Sequence, residues 1–343
     1  MFSKKCAVVL SGIALCCSSF FAGTAVYAKD IDISQVKAEI RIGTASLGST
    51  GQVLQAGIAA IVSKYLPNLK CSAITTQGSM ENVRLMAQKE IEFASINSDA
   101  SYAAFKGTGA FKKPIVNYQM FSAYSNQCVF VTLKGSGIEK IEDLKGRRVS
   151  VGPQGSGAMD LAYSVLKYGY DLWDKIDKVF MSYSDQVEAL KDGTIDAMVA
   201  HLNSGYPASY FAELDATNKN LHIMGESEEA LKRIQSVQPF QMIEKISPSP
   251  YLTNLDRDIY AMTNYNATYA RPDISEEIVY AYMKTLFDHC TEVDAYHRQG
   301  KNIRPELAVR GIFAGMPVHP GAARYYKEKG LWNDSWIIGE IKE

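Results

Sequence analysis

The 343-residue chain lacks most of the residue patterns that carry chemistry. It has no paired-cysteine metal pattern and no His-Glu-x-x-His, so a zinc site is unsupported. Its five histidines, His201, His222, His289, His297 and His319, are scattered. There is no Gly-Lys-Ser/Thr phosphate loop, which leaves ATP chemistry unsupported. Ser156 stands in Gln154-Gly155-Ser156-Gly157, not in the Gly-x-Ser-x-Gly of a nucleophile elbow. With no nucleophile–base arrangement, the chain is read as a non-enzyme that needs no cofactor and no metal. Neither sign of charge dominates: the formal net charge is −1, which argues against a nucleic-acid partner. Internal repeats and low-complexity segments are absent, and no segment after residue 28 is long and apolar enough to cross a bilayer.

The first 28 residues have their own pattern. Lys4 and Lys5 give a basic start, Ala7 to Phe21 is an apolar run, and Val26-Tyr27-Ala28 fits a small-residue cleavage site. The run is too short and mixed for a permanent membrane helix. Residues 1–28 therefore read as a secretory signal, with export to the periplasm and a mature start at Lys29. Neither Cys16 nor Cys17 follows a small residue, which favours simple secretion over a lipid anchor. Cys71, Cys128 and Cys290 remain after cleavage. The odd count leaves at least one free thiol or an intermolecular bridge, and buried thiols with at most one disulfide are expected. The length suggests two domains around one crevice.

The rest alternates short apolar strands with glycine- and hydroxyl-rich turns and amphipathic helices. Glu39 to Gly43 is a strand entering the turn Thr44 to Gly51. A helix stripe follows at Val53, Leu54, Ile58, Ile61, Val62 and Tyr65, and Pro67 stops it. A second strand, Cys71 to Thr75, enters Thr76-Gln77-Gly78-Ser79, with Ser79 as the expected cap of a helix that carries Asn82. A third strand, Glu92 to Ile96, ends in Asn97-Ser98-Asp99. Residues 105–127 read as an irregular, aromatic connector, and Cys128 to Leu133 as an apolar strand. Val149 to Val151 runs into the turn Gly152 to Ser156, and Ser156 caps the next helix. Ser184-Asp185 reads as a cap. Ile195 to Ala200 is a buried strand entering the turn His201 to Pro207, and Ile259 to Asn264 is another strand. Ile274 to Cys290 and the segment after Pro320 are helical. His319, beside Pro320, reads as a packing or capping residue.

Three strand–turn–helix units thus carry Gly/Ser/Thr turns. Unpaired N–H groups at such helix starts suit an anion, and open α/β sheets bind ligands outside the carboxyl ends of their strands. The candidate ligand-binding residues are Thr44, Ser46, Gly48, Ser49, Thr50, Gln52, Gly78, Ser79, Asn82, Ser98, Gly155, Ser156, Gly157, Asn203 and Gly205. Ser79, Asn82 and Ser156 are each expected to donate one hydrogen bond to a ligand carboxylate. Arg84, beside one of the turns, is placed either to pair with an anion or to face solvent.

The runs EIRIGTASLGSTG, TTQGSMENVRLM, GIEKIEDLKGRRVSVGPQGSG, ALKDGTIDAMVA with SGYPAS, and HPGAARYYKEKG follow one another in a set order. Together they resemble the TAXI family, the extracytoplasmic solute receptors of a class of TRAP transporters, over nearly all of the mature chain. The resemblance implies a two-lobed α/β fold of the type II periplasmic binding protein kind. Lobe 1 would take 29–130 and 255–343, and lobe 2 would take 131–254. The strands Cys128 to Leu133 and Ile259 to Asn264 would cross between them. It also implies a monomer that binds a small organic acid, such as glutamate or 2-oxoglutarate, and a membrane permease partner driven by an ion gradient. A receptor of the same fold that feeds a sensor is the alternative. Asn82, Ser156 and Gly157 match the family pattern. Gly51-Gln52 depart from it, standing where the family has a pair of tyrosines, so a stacking or hydroxyl contact is missing or comes from elsewhere.

Overall fold

A computed structural model describes residues 31–45, 47, 49–154 and 157–342. The expected signal segment, its cleavage site, Ser46, Gly48, Gly155 and Ser156 lie outside the described residues. Among the described residues no helix is long and apolar enough to cross a membrane.

The chain begins with β1 (Ala38–Gly43), α1 (Thr50–Tyr65), β2 (Leu69–Ile74), α2 (Ser79–Ala87), β3 (Phe93–Asn97) and α3 (Ser98–Lys106). The long β4 (Tyr118–Leu133) leads to β5 (Arg148–Ser150), α4 (Gly157–Ser164), β6 (Asp177–Val179), α5 (Tyr183–Lys191), β7 (Ala197–Asn203) and β8 (Tyr206–Pro207). Next come α6 (Ser209–Thr217), β9 (Leu221–Met224), α7 (Glu228–Val237) and β10 (Met242–Ile246). A second long strand, β11 (Ile259–Ala270), precedes α8 (Glu276–Asp288), α9 (Pro305–Ala308) and α10 (Pro320–Glu328).

Local chemistry explains most of these limits. The α1 stripe buries Leu54, Ile58, Ile61 and Val62, and the helix starts where the Ser49 hydroxyl accepts from the Gln52 N–H. Ser182, Ser227 and Ser275 cap α5, α7 and α8 in the same way. Ahead of α10, the His319 imidazole accepts from the Gly321 N–H and Pro320 takes the first helical position. The imidazole is fully buried, with Nε2 3.0 Å from the Ile274 carbonyl oxygen, which bears out its capping role.

Among the described residues eleven strands join in one sheet: eight follow the order β2-β1-β3-β11-β4-β7-β5-β6, while β10 pairs with β11, β8 with β7 and β9 with β4. β2-β1-β3 pair in parallel, as do β7-β5-β6. Between these groups β11 runs antiparallel to β3 and β4, and β4 runs antiparallel to β7. Two long strands therefore carry the chain from one α/β half to the other. The apolar cores divide along the same line. Val83, Met86, Ile96, Tyr269 and Phe313 share one cluster in the first half. In the second half, alternation sends Cys128 and Phe130 into one cluster and Val129 and Val131 into another on the opposite face.

Four local expectations need correction. The second half of the segment read as a connector, Tyr118 to Gln127, is strand, and its start includes part of α3. The crossing strands are accordingly longer than expected. Gly78, at φ 110°, is the α2 cap, and Ser79 is the first helical residue, its hydroxyl accepting from the Asn97 N–H at 3.0 Å. Ser182, not Ser184-Asp185, caps α5. The polar residues that hid the strand character of Tyr118 to Gln127 are buried and paired with distant loops. Gln119 donates to the carbonyls of Phe313 and Met316, and Ser122 donates to that of Ala308. All three described cysteines are free: Cys128 and Cys290 are buried and Cys71 is half-buried.

One buried acid stands out in the second half. Glu226 is 5% exposed, and one carboxyl oxygen accepts from the Met262 N–H at 2.8 Å. The other oxygen is buried without a partner among the described residues. Burial pushes this carboxyl well above its usual range, so it holds its proton. Unfolded glutamate ionises near about 4.3. The native state therefore binds the extra proton above that pH, and stability falls as pH rises through the window up to the raised native value. Glu226→Gln removes this titration. We expect the melting temperature of the wild type to decline more steeply than that of the variant between about pH 5 and about pH 8. Equal slopes in parallel thermal melts would show that the carboxyl carries no such cost.

Candidate functional site

Two helix starts and the middle of a third helix face a small cavity of about 150 Å³ at the crossing strands. Asn97 caps α3, Leu161 lies in α4, and Tyr183 opens α5. The crossing strands supply Tyr124, Asn126 and Asn264, and β7 supplies His201. Apart from Leu161 the walls are polar, and they carry no fixed charge. The asparagines are held to one another: Asn126 donates to Asn264 Oδ1 at 3.0 Å, and Asn266 to Asn97 Oδ1 at 2.9 Å. Asn266 Oδ1 in turn accepts from the Ser95 hydroxyl at 2.7 Å. Burial pulls the His201 imidazole down to about 4, so it is neutral near neutral pH, and its Nδ1 lies 3.0 Å from the Tyr210 hydroxyl. Burial pushes the Tyr124 phenol well above its ordinary range, so it remains an O–H donor. That hydroxyl has no hydrogen-bond partner among the described residues.

Tyr124 also reaches the start of α1. A β-carbon added at Gly51 would lie 3.4 Å from the Tyr124 hydroxyl and 3.6 Å from Ser95 Oγ. A methyl fits there, but a longer side chain would run into the hydroxyl. Acidic groups sit nearby on both halves. Asp99, in the first turn of α3, accepts from the Ala100 N–H at 2.8 Å. Burial pushes its carboxyl up to about 6, and the charge of Asp160 in the first turn of α4 adds to this. Burial also raises Asp160.

The structure distributes the sequence-derived candidates over different jobs. Thr44 is fully buried, and its hydroxyl donates to the Ile74 carbonyl at 2.9 Å. Ser49 caps α1, Thr50 is its first residue, and Gln52 lies in its first turn with its N–H given to Ser49. Gly78 and Ser79 start α2, where Ser79 holds the end of β3. Ser98 is buried, donating to the Phe240 carbonyl and accepting from the Tyr265 N–H. Gly157 is the first residue of α4. Asn203 ends β7, with its carbonyl accepting from Gln299 Nε2 at 2.7 Å. Gly205 sits in the β7–β8 hairpin at φ 79° and donates its N–H to Gln127 Oε1. It lines a second, much larger cleft. Arg84 is exposed on α2.

Asn82 joins the turns at Thr44 and Thr76 to strand β3. It is fully buried, and its amide donates to the Thr44 carbonyl at 2.7 Å and the Ser95 carbonyl at 2.8 Å. Its Oδ1 accepts from the Thr76 hydroxyl at 2.8 Å. Both amide hydrogens are thus spent on main chain, and the side chain braces the turns around the site. The sequence reading missed Tyr124, Asn126, His201 and Asn264. Their signal was polar residues inside apolar strands, which only the strand pairing gathers into one place. Asn82→Ala strands two buried carbonyls. We expect it to lower stability by about 2–4 kcal/mol, read from the midpoint of urea unfolding. A loss under about 0.5 kcal/mol would refute the bracing role.

Known proteins bear on this arrangement. A TctC solute binding protein from Polaromonas, crystallised with no ligand, superposes with a TM-score of 0.50 at 14% identity, over 77% of this chain and 86% of that one. The periplasmic aliphatic sulphonate binding protein SsuA from Escherichia coli matches with a TM-score of 0.44 at 15% identity, over 85% and 84%. AbpA, an amino acid ABC transporter substrate-binding protein from Streptococcus pneumoniae bound to L-arginine, gives 0.41 at 13% identity, over 76% and 94%. The likeness to the Polaromonas protein is one of fold, and it agrees with the two-lobed α/β architecture read from the sequence. A model of the NMT1-like family matches residues 42–330, most of the chain, and the chain belongs to that family.

Proposed function

We propose that the protein is an extracytoplasmic solute-binding protein of the TAXI kind, a binder and not an enzyme. It captures a small organic acid between its two lobes and delivers it to a TRAP-type permease. The lobes are residues 29–130 with 255–343, and residues 131–254, and β4 and β11 form the hinge. The observation that carries this reading is the convergence of two helix starts and a set of neutral side-chain amides on one small cavity at the crossing strands. Helix N-termini and oriented amides stabilise an anion without a buried cation. Fixed, mutually bonded asparagines add donors that need no rearrangement when the ligand arrives.

Two features sharpen the ligand class. The Tyr124 hydroxyl reaches the cavity beside Gly51, so the crossing strand supplies a phenol where the resemblance places a tyrosine on α1. Asp99 and Asp160, one at a helix start on each side, favour a ligand that also carries an ammonium group. Of the candidate acids, glutamate fits both demands better than 2-oxoglutarate. Asn82 braces the turns at Thr44 and Thr76 through its side-chain hydrogen bonds.

Mass spectrometry of ligand released from the purified protein should recover a small carboxylate. Recovery of a neutral or purely cationic solute would overturn the class. Tyr124→Phe removes one donor to a charged group, a change of about 1.5–3 kcal/mol. Calorimetry should show roughly tenfold to hundredfold weaker binding, with the melting temperature unchanged. Wild-type affinity in that variant would place the ligand elsewhere.

A further inference from the structure

We propose a second small-molecule site, on the opposite face of the crossing strands, for a zwitterion with a bulky side chain such as an aromatic amino acid or its dipeptide. Strand alternation builds it. Asn126 turns toward the small cavity and Ser125 and Gln127 turn the other way, while Tyr124 borders both spaces. There they meet β10, the β7–β8 hairpin and the segment around α9, which enclose a cleft of about 850 Å³. That is within the usual range of small-molecule sites, roughly 300–1,000 Å³.

Glu244 stands at the base of this cleft. Its carboxylate accepts from the Ser125 hydroxyl at 2.8 Å, from Gln127 Nε2 and from the Tyr265 hydroxyl. Burial, and next the charge of Glu244, push the Tyr265 phenol well above its ordinary range, so it stays a donor. A carboxylate offers about four acceptor positions, so one is left after these three. All three donors are neutral, and Glu244 has no ion pair among the described residues. Lys245, its neighbour on β10, is already paired with Asp258 at 3.0 Å. Arg310 lines the same cleft; its backbone N–H donates to the Leu307 carbonyl at 3.1 Å, and its guanidinium makes no hydrogen bond or ion pair with another described residue. The cleft therefore presents one half-buried anion with an open acceptor and one cation with its donors free. Tyr206 and Tyr251 form an aromatic wall, their ring centroids 4.8 Å apart. An ammonium on Glu244, a carboxylate on Arg310 and an apolar side chain against the tyrosines use all three features.

The test is calorimetry with L-phenylalanine and glycyl-L-phenylalanine, both too bulky for the cavity on the other face. We expect saturable binding of at least one of them. 3-Phenylpropanoate, which lacks the ammonium, and 2-phenylethylamine, which lacks the carboxylate, should each bind at least about tenfold more weakly. Glu244→Gln and Arg310→Met should weaken the zwitterion by a similar factor. Arg310 is exposed, so its variant leaves the fold intact even if the Glu244 variant loses stability. Asn97→Ala, at a residue that lines the small cavity and not this cleft, should leave this binding unchanged, which separates failure here from failure of the other site. Absence of binding by the wild type, or wild-type affinity in Arg310→Met, would overturn the proposal. So would equal binding of the two singly charged analogues.

Discussion

The antiparallel pairing of β4 with β11 is the constraint on which the other features of this protein depend. Eight residue pairs hold the two strands in register, from Thr263 opposite Gln127 to Ala270 opposite Tyr118, with two shifts where β4 carries an extra residue. Such bulges bend and twist a strand. Each strand belongs to both halves of the molecule, so their register sets how the parallel groups β2-β1-β3 and β7-β5-β6 face each other. The same register decides which side chains point to which face. A slip of one residue would exchange Tyr124 and Asn126 for Ser125 and Gln127.

Polar residues in such a sheet must be paid for by partners, and the structure provides them with little use of charge. The asparagines of β3, β4 and β11 bond to one another, Asn82 bonds to main chain, and Gln119 and Ser122 bond to distant loops. A buried hydrogen-bonded amide nets only about 1 kcal/mol, but an orphaned one costs about 1–3 kcal/mol. The network therefore specifies the arrangement more than it stabilises it. Ionisable groups follow the same rule. Glu226 is held neutral by burial, and His201 and His319 are each pulled down to about 4 by burial. By contrast, burial works against the Glu92 carboxylate, yet hydrogen bonds from Arg41 and the charges of Arg41 and Arg271 hold it below the usual range. Most ion pairs lie on the outside of the fold, and neutral donors line the small cavity.

Sequence patterns by themselves determined the α/β class and, for elements such as β1, α1, β2 and α10, their order and approximate limits, because these depend on neighbours a few residues apart. The α1 stripe, the stop at Pro67, the cap at His319-Pro320 and the apolar strands all carry their cause locally. Where the cause is remote, the reading failed. Tyr118 to Gln127 looked irregular because Gln119 and Ser122 find partners about two hundred residues away. Ser79 looked like a cap, but the backbone at Gly78 adopts a conformation suited to glycine and takes that place. Only the tertiary structure decided which of the candidate residues share a space. Asn82 and Ser98 were pulled into the core by bonds to segments on other elements, whereas Tyr124, Asn126, His201 and Asn264 were brought to one cavity by strand register. Register is a long-range property, set where two strands over a hundred residues apart in the chain pair, and no local pattern encodes it.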